Sequence, residues 1–182
     1  MGRLTTVAGV RIRATTEDDW QRVRELRLEM LRDTPHAYLE TLESALGHDE
    51  PEWRARARRG RSATGTVLVA VDGGGRWVGT MGGWLPGPST APLLVGVYVA
   101  PSHRGPGAGV ADALLDGIEA WAAGHGPVLR LMVHEDNQRA QAFYARRGFR
   151  LTGNSGPYPL DPRQREVEMA RELPPAAGRA EP

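Results

Sequence analysis

The stretch from Val97 to Val110 constrains the fold of this chain more than any other. It runs Val97, Tyr98, Val99 as a strand-forming series, then through Arg104, Gly105, Pro106, Gly107, Ala108 and Gly109 into a helical pattern. Val110, Leu114, Leu115, Ile118 and Trp121 recur at the spacing of one apolar helix face. A strand is thus coupled to an amphipathic helix through a glycine-rich turn. Glycines let a backbone turn tightly and approach a ligand without a Cβ clash. A helix N-terminus adds unpaired N–H groups and a positive dipole end, so the segment has the makings of an anion cradle. The same glycines would also serve a plain strand-to-helix connection.

The remaining elements can be read around that segment. Val10 to Ala14 alternates as a short strand, and Thr16 with Asp19 resembles a capping box before the stripe Trp20, Val23, Leu26, Arg27, Met30, Leu31. Thr34 and Pro35 end that helix, and Asp49 with Pro51 starts another that carries Trp53. The pattern leaves His36 to His48 undetermined. Thr66 to Val71 and Trp77 to Trp84 flank Asp72, Gly73, Gly74 and Gly75, which read as the turn of a hairpin. Leu93 to Val99 follows as a third strand. Val128 to Val133 reads as a strand, Asn137 to Arg147 as a helix stopped by Gly148, and Phe149 to Thr152 and Glu166 to Arg171 as closing strands joined by a loop from Gly153 to Gln164. An antiparallel meander followed by strand, helix, strand, helix predicts a mixed α/β sheet with helices on its faces.

At 182 residues the chain fits one domain. We expect a domain over residues 1–173 and a disordered tail over 174–182, which holds Pro, Ala, Gly and charge but no large apolar side chain. Without cysteine there is no disulfide, thiolate metal site or cysteine nucleophile, and the five histidines stand singly, so no metal is expected. A net charge of +1 argues against nucleic acid as a partner. The arginines between Arg54 and Arg61 read as the solvated end of a helix. The absence of a long apolar run argues against a membrane partner or an export signal, and a cytoplasmic location is the expectation. All 23 basic residues are arginine, and a bacterial source with a GC-rich genome fits that bias.

The chain resembles the GNAT superfamily of acetyl-CoA-dependent N-acetyltransferases. Their cofactor motif, Arg or Gln, any two, Gly, any one, Gly or Ala, is matched by Arg104, Gly107 and Gly109 directly after a strand. A second family motif is matched by Asn137, Ala140, Phe143, Tyr144, Gly148 and Phe149. The resemblance implies a GNAT fold, with a central mixed, mostly antiparallel sheet splayed at the cofactor site. It implies acetyl-CoA as co-substrate, its pyrophosphate bound around Arg104, Gly105, Gly107, Ala108 and Gly109. Pantetheine would pair with the backbone at Val97 and Val99, in a gap between that strand and Val128 to Val133. Asn137 would contact the cofactor or cap its helix.

The same resemblance makes Tyr144 the acid that protonates the departing thiolate, a role its hydroxyl can fill; packing beside Phe143 is the alternative. His134, with Glu135, is a candidate proton relay. Tyr38, Glu40 and Glu43, with Tyr158 and Asp161, fall where relatives wall the acceptor site. Two positions depart from the family. Pro106 removes a backbone N–H from the turn, which leaves open whether it weakens CoA binding, with Arg104 and Arg139 as other phosphate contacts. Leu93 to Val99 carries no carboxylate where some relatives have a glutamate base, so we expect the amine to be deprotonated by water. The implied activity is transfer of acetyl to a primary amine of a small molecule or peptide. A non-catalytic acyl-CoA-binding regulatory module and a protein N-terminal acetyltransferase are the alternatives, and the sequence allows a homodimer.

Overall fold

The computed structural model describes residues 5–7, 9–88, 90–105 and 107–175. The Pro106 departure and residues 176–182 of the expected tail lie outside the described residues. Eight strands form one sheet in the order β1-β2-β3-β4-β5-β6-β8-β7. They are β1 (Thr5–Val7), β2 (Val10–Ala14), β3 (Gly65–Val71), β4 (Trp77–Trp84), β5 (Leu93–Val99), β6 (Val128–His134), β7 (Arg150–Tyr158) and β8 (Asp161–Glu172). The helices are α1 (Trp20–Asp33), α2 (Leu42–Leu46), α3 (Glu50–Arg58), α4 (Val110–Ala123) and α5 (Gln138–Arg146). Every strand pair is antiparallel except β5 with β6, so the sheet is mixed and mostly antiparallel as expected.

Local chemistry sets the helix ends. The Asp19 carboxylate accepts the Thr16 N–H at 2.8 Å and clamps Arg13 at 2.7 Å through both oxygens, which fixes the entry to α1. Asp49 caps α3 by accepting the Glu52 N–H at 3.0 Å, with Pro51 in the first turn. Undetermined from its pattern, the stretch after α1 contains α2, capped by the Thr41 hydroxyl accepting from Ser44 N–H at 3.1 Å.

Helices cover both faces of the sheet. On one face α4 lies so close that Cβ atoms at Gly79 and Gly83 of β4 would meet Leu114 at 3.1 Å and Trp121 at 2.4 Å. On the other, Val67, Val69 and Thr80 face α1 and α3 across a cavity. That double cover explains why β4 is buried along its length from Trp77 to Gly83 instead of alternating.

The end of the chain departs from the expected loop. Gly153 to Gln164 is mostly strand, because β7 and β8 form a long hairpin that turns between Tyr158 and Asp161. Gly153, at φ +90°, falls where the register shifts between Leu151 and Ser155, and Pro157 needs no ladder donor because β7 is an edge strand. Glycine and proline there mark an irregular edge, not a break in the sheet.

Gly83→Ala tests the close helix contact. The new methyl would press on the Trp121 ring, and overpacking of this kind costs about 1–3 kcal/mol. The urea midpoint should fall with an unchanged slope; an unaltered midpoint would show that Trp121 swings aside freely.

Candidate active site

The site begins with a broken pairing. β6 is paired along its whole length with β8, from Val128↔Glu172 to His134↔Glu166, yet it meets β5 only at Leu93↔Arg130. Beyond that point the two parallel strands diverge. β5 also carries an extra residue against β4, since Thr80 pairs with Tyr98 but Gly82 with Val95. Gly96 takes the bulge, at φ +59°, a conformation that glycine adopts without strain.

The bulge and the gap leave main-chain groups of β5 without a strand partner. The Tyr38 hydroxyl donates to the Val97 carbonyl at 3.0 Å, and Arg104 Nε donates to the Val99 carbonyl at 2.6 Å. In a strand the N–H and C=O of one residue point the same way, so Val97 and Val99 turn their polar edges toward the open side of β5. The Arg104 guanidinium also pairs with Asp33 and lies 5.4 Å from the Tyr98 ring, so its side chain is engaged with protein groups and braces the turn.

Past β5 the chain enters the glycine turn. Gly105, Gly107 and Gly109 take φ values of +111°, +92° and +66°, where any other residue is strained. Around Gly105 and Gly107 a Cβ would meet nothing within 4 Å, so the space beside this turn is open. Ala108 N–H donates to the Gly105 carbonyl at 3.3 Å, whereas the N–H groups of Gly105, Gly107 and Gly109 have no partner among the described residues. Left-handed glycines, open space and the start of α4 together fit a phosphate-bearing ligand.

A cavity of about 550 Å³ opens between β5 and β6 and reaches back under α1 and α3. Of the residues expected at the site, it brings together Val97, His134, Asn137 and Tyr144; the glycine turn and Val99 stand outside it, farther along the same gap. Leu39, Trp84, Val95 and Met132 line it and remain exposed, an apolar rim of the kind that marks a binding site. The Tyr144 ring is buried and packs edge-on against Phe143 and Phe149. Its hydroxyl has no hydrogen-bond partner among the described residues and is not sealed off from the cavity. Burial, aided by nearby Tyr38, pushes this phenol above its ordinary range and keeps it protonated. Asn137 caps α5 through Oδ1, which accepts the Ala140 N–H at 3.1 Å, and its amide nitrogen is left over.

His134 is held at both ring nitrogens. Asp136 N–H can only donate, at 3.2 Å to Nδ1, and this assigns the proton to Nε2, which donates to Gln164 Oε1 at 2.6 Å. Neither nitrogen then has a lone pair free for an amine. The ring stands edge-on to Tyr158 at 5.1 Å, and the Tyr158 hydroxyl donates to the Tyr38 carbonyl at 2.9 Å. Tyr38 and Tyr158 thus wall the cavity, as the sequence suggested.

Three features escaped the sequence reading. Glu166, opposite His134 on β8, puts a carboxylate into the cavity with no hydrogen-bond donor among the described residues, and burial raises its pKa against the pull of His134. A carboxylate is therefore present, though it comes from β8 and not from β5. Gly96 was legible as a lone glycine within a strand pattern. The third is the state of Glu40: Arg27, Arg56 and His48 surround it at 2.7–2.9 Å, and neither it nor Glu43 lines the cavity. The side chains that do are Arg27, Arg56 and Arg59.

The chain matches the Acetyltransferase (GNAT) family over residues 20–149 and belongs to that family. It is an acetyltransferase by fold and family. Its structure is similar to a GCN5-related N-acetyltransferase from Kribbella flavida, at 22% identity over 91% of this chain and 98% of that one, TM-score 0.70. It is also similar to the ribosomal-protein-S5-alanine acetyltransferase of Vibrio fischeri, at 11% identity over 100% of both chains, TM-score 0.79. A third is the PaiA N-acetyltransferase of Thermoplasma acidophilum in complex with coenzyme A, at 17% identity over 90% of this chain and 99% of that one, TM-score 0.70. At such identities the likeness establishes the fold. No curated protein matches the sequence. Among the described residues no helix is long and apolar enough to cross a membrane, and no cluster of His, Asp and Glu could hold a metal.

The Glu40 cluster makes a prediction about acid. Burial alone would raise this carboxyl, but donors from Arg56, Arg27 and His48 outweigh it and hold Glu40 at about 2 instead of its ordinary 4.5. A depressed carboxyl stabilises the fold above its unfolded pKa and loses that contribution as pH falls through the folded value. Unfolding free energy should therefore drop between pH 4.5 and 2, and Glu40→Gln should be less stable at neutral pH with a flatter profile over that window. Parallel profiles for the two proteins would remove the cluster from the account.

Proposed function

We propose that this protein transfers acetyl from acetyl-CoA directly to a primary amine of a small molecule or peptide. The observation that carries the reading is the diverging β5–β6 pair, with the polar edges of Val97 and Val99 turned to its open side and the free Tyr144 hydroxyl beside it, leading into three left-handed glycines at the start of α4. The coenzyme A named with the Thermoplasma structure supports it. The proposal treats residues 1–173 as the acetyltransferase domain.

In this reading the N–H groups of Gly105, Gly107 and Gly109 hold the pyrophosphate; the Ala108 N–H is engaged by the Gly105 carbonyl, and Arg104 braces the turn. Val97 and Val99 pair with the pantetheine arm, and an N–H near Val99 polarises the thioester oxygen; single donors of that kind are worth about a hundredfold or more in other acyl transfers. Asn137 caps α5 and offers its remaining amide to the same arm. The amine nitrogen attacks the acetyl carbon, the carbon–sulfur bond breaks, and Tyr144 gives its proton to the sulfur. The amine's proton goes to Glu166. The relay first assigned to His134 requires its contact with Asp136 or Gln164 to break, whereas Glu166 needs no such change. No covalent adduct with the chain is involved.

A non-catalytic acyl-CoA-binding module would have no use for a phenol kept protonated at the gap, and this separates the readings by experiment. Gly107→Glu should abolish CoA binding in calorimetry, through a strained φ and a charge beside the pyrophosphate path. Tyr144→Phe should bind acetyl-CoA normally and lower kcat by roughly 10²–10⁴-fold. Retained kcat in Tyr144→Phe would take the acid role from it.

Glu166 gives a pH signature. Because burial raises this carboxyl, kcat/KM for a given amine should fall on acidification with an inflection above the ordinary 4.5. In Glu166→Gln the rate should drop and then follow the free-amine fraction, rising with pH toward the acceptor's own pKa. If His134→Ala removes the inflection and Glu166→Gln leaves it, His134 is the base.

A further inference from the structure

The charged groups around the cavity separate into two sets. Among the described residues Glu166 is the one carboxylate that lines it, at the end where His134, Asn137 and Tyr144 meet. Arg27, Arg56 and Arg59 line the part under α1 and α3, while the carboxylates that pair with Arg27 and Arg56, Glu40 and Glu52, do not line the cavity.

The three arginines differ in what they have left to donate. Arg56 is engaged at all three nitrogens, with Nε on Glu52 at 2.9 Å, both terminal nitrogens on Glu40, and its plane 5.0 Å from the Trp53 ring. Arg27 is not. Its Nε donates to Glu40 at 2.8 Å and its plane lies 4.9 Å from the Tyr38 ring, but its two terminal nitrogens have no acceptor among the described residues. Glu40 already receives donors from Arg27, Arg56 and His48, which uses the lone-pair sites a carboxylate has. Arg59 stands at the same wall with no acceptor for its side chain among the described residues. Arg27 sits on the inward stripe of α1, among Val23, Leu26 and Met30, and its side chain is only 20% exposed. A half-buried guanidinium fixed at Nε and over a ring, with its outer edge free, is preorganised for a bidentate carboxylate.

We propose that the acceptor amine also carries a carboxylate, as in an amino acid with an apolar side chain, and that Arg27 receives that carboxylate. This rests on the acetyl-transfer reading of the same cavity. The amine end lies toward Glu166 and the opened β5 edge, the carboxylate lies on Arg27 with Arg59 reinforcing the field, and Val67, Val69, Leu26 and Met30 receive the apolar body.

Matched pairs of acceptors test it: L-phenylalanine with phenethylamine and L-leucine with isoamylamine, each pair differing by the carboxylate alone. The amino acids should be favoured by about 10- to 100-fold in kcat/KM. Arg27→Met should erase the preference while leaving the KM for acetyl-CoA unchanged. Since this substitution also removes a partner of Glu40, Arg27→Lys serves as the second variant, which keeps the charge and should retain only part of the preference. Binding of L-leucine to the CoA-loaded protein, followed by calorimetry, separates the two readings. Arg27-dependent binding without CoA release would uphold the carboxylate site and defeat acetyl transfer to it. Equal kcat/KM within each pair, or a peptide N-terminus preferred over both members, would overturn the carboxylate site and leave acetyl transfer standing. Neither binding nor turnover with any of the four probes would also overturn it.

Discussion

The structure depends on a hydrogen-bond ladder that stops. A parallel strand pair normally continues its bonds along its length, and here β5 and β6 share a single register pair before they part. Unpaired main chain in a protein interior is costly, so the edge needs partners. Two come from within the chain: Tyr38 on the Val97 carbonyl and Arg104 on the Val99 carbonyl. Both are side chains from outside the sheet, and each ties a neighbouring segment to the gap. Tyr38 in turn offers its own carbonyl to Tyr158, so the opening is framed by contacts that reach from the first third of the chain to the last strands. What the gap can take is an extended ligand with its own donors and acceptors, lying where a strand would lie.

The two halves of the site were legible to different degrees, for a reason that lies in their construction. The cofactor half is built from contiguous units, β5 into α4 with its glycine turn and β6 into α5 with its Asn137 cap and its Phe143–Tyr144 pair. Local spacing is enough to read such a unit. The half proposed to take the acceptor is assembled from α1, α3 and β8, whose mutual placement depends on sheet order and register. Glu166 looked like one residue of a closing strand until its pairing with His134 was known. Arg27 was visible as an arginine on an apolar stripe, but that it keeps a free edge depends on the arrangement around Glu40. The β7–β8 hairpin was missed because glycine and proline signal a turn in a central strand and are tolerated at an edge.

Glu40 shows how far charge counting in a sequence can mislead. Two acidic residues, Glu40 and Glu43, fall in a segment expected to wall the acceptor, and counted as charges alone they would make that wall negative. In the folded chain Glu43 is on the surface and Glu40 is enclosed by Arg27, Arg56 and His48, away from the cavity. Its effect is therefore indirect. It orients two guanidiniums, and the surface presented to a ligand is the arginine side of the cluster, so the sign of the local field is opposite to that of the residue that first drew notice.

Burial of Tyr144 appears at first to oppose its use as an acid. A phenol lifted above its ordinary pKa gives up its proton less readily, and a free thiol such as that of coenzyme A is ordinarily far more acidic, near the cysteine value of about 8.5. Desolvation, however, acts on every anion in the same enclosure. In the proposed transfer, a thiolate released beside Tyr144, with Val97, Leu131 and Val133 around it and no cation of the described residues engaged there, has its own pKa raised by the same exclusion of water. The two acids move together, so the proton transfer stays closer to balance than the shift of the phenol alone suggests. The phenol is meanwhile held fully protonated at neutral pH, ready to donate, and a charge in the gap exists only while the thiolate waits for its proton. A largely apolar enclosure with a protonated phenol is thus a consistent design for expelling sulfur, and it accords with the proposal that the charged residues Glu166 and Arg27 serve the acceptor.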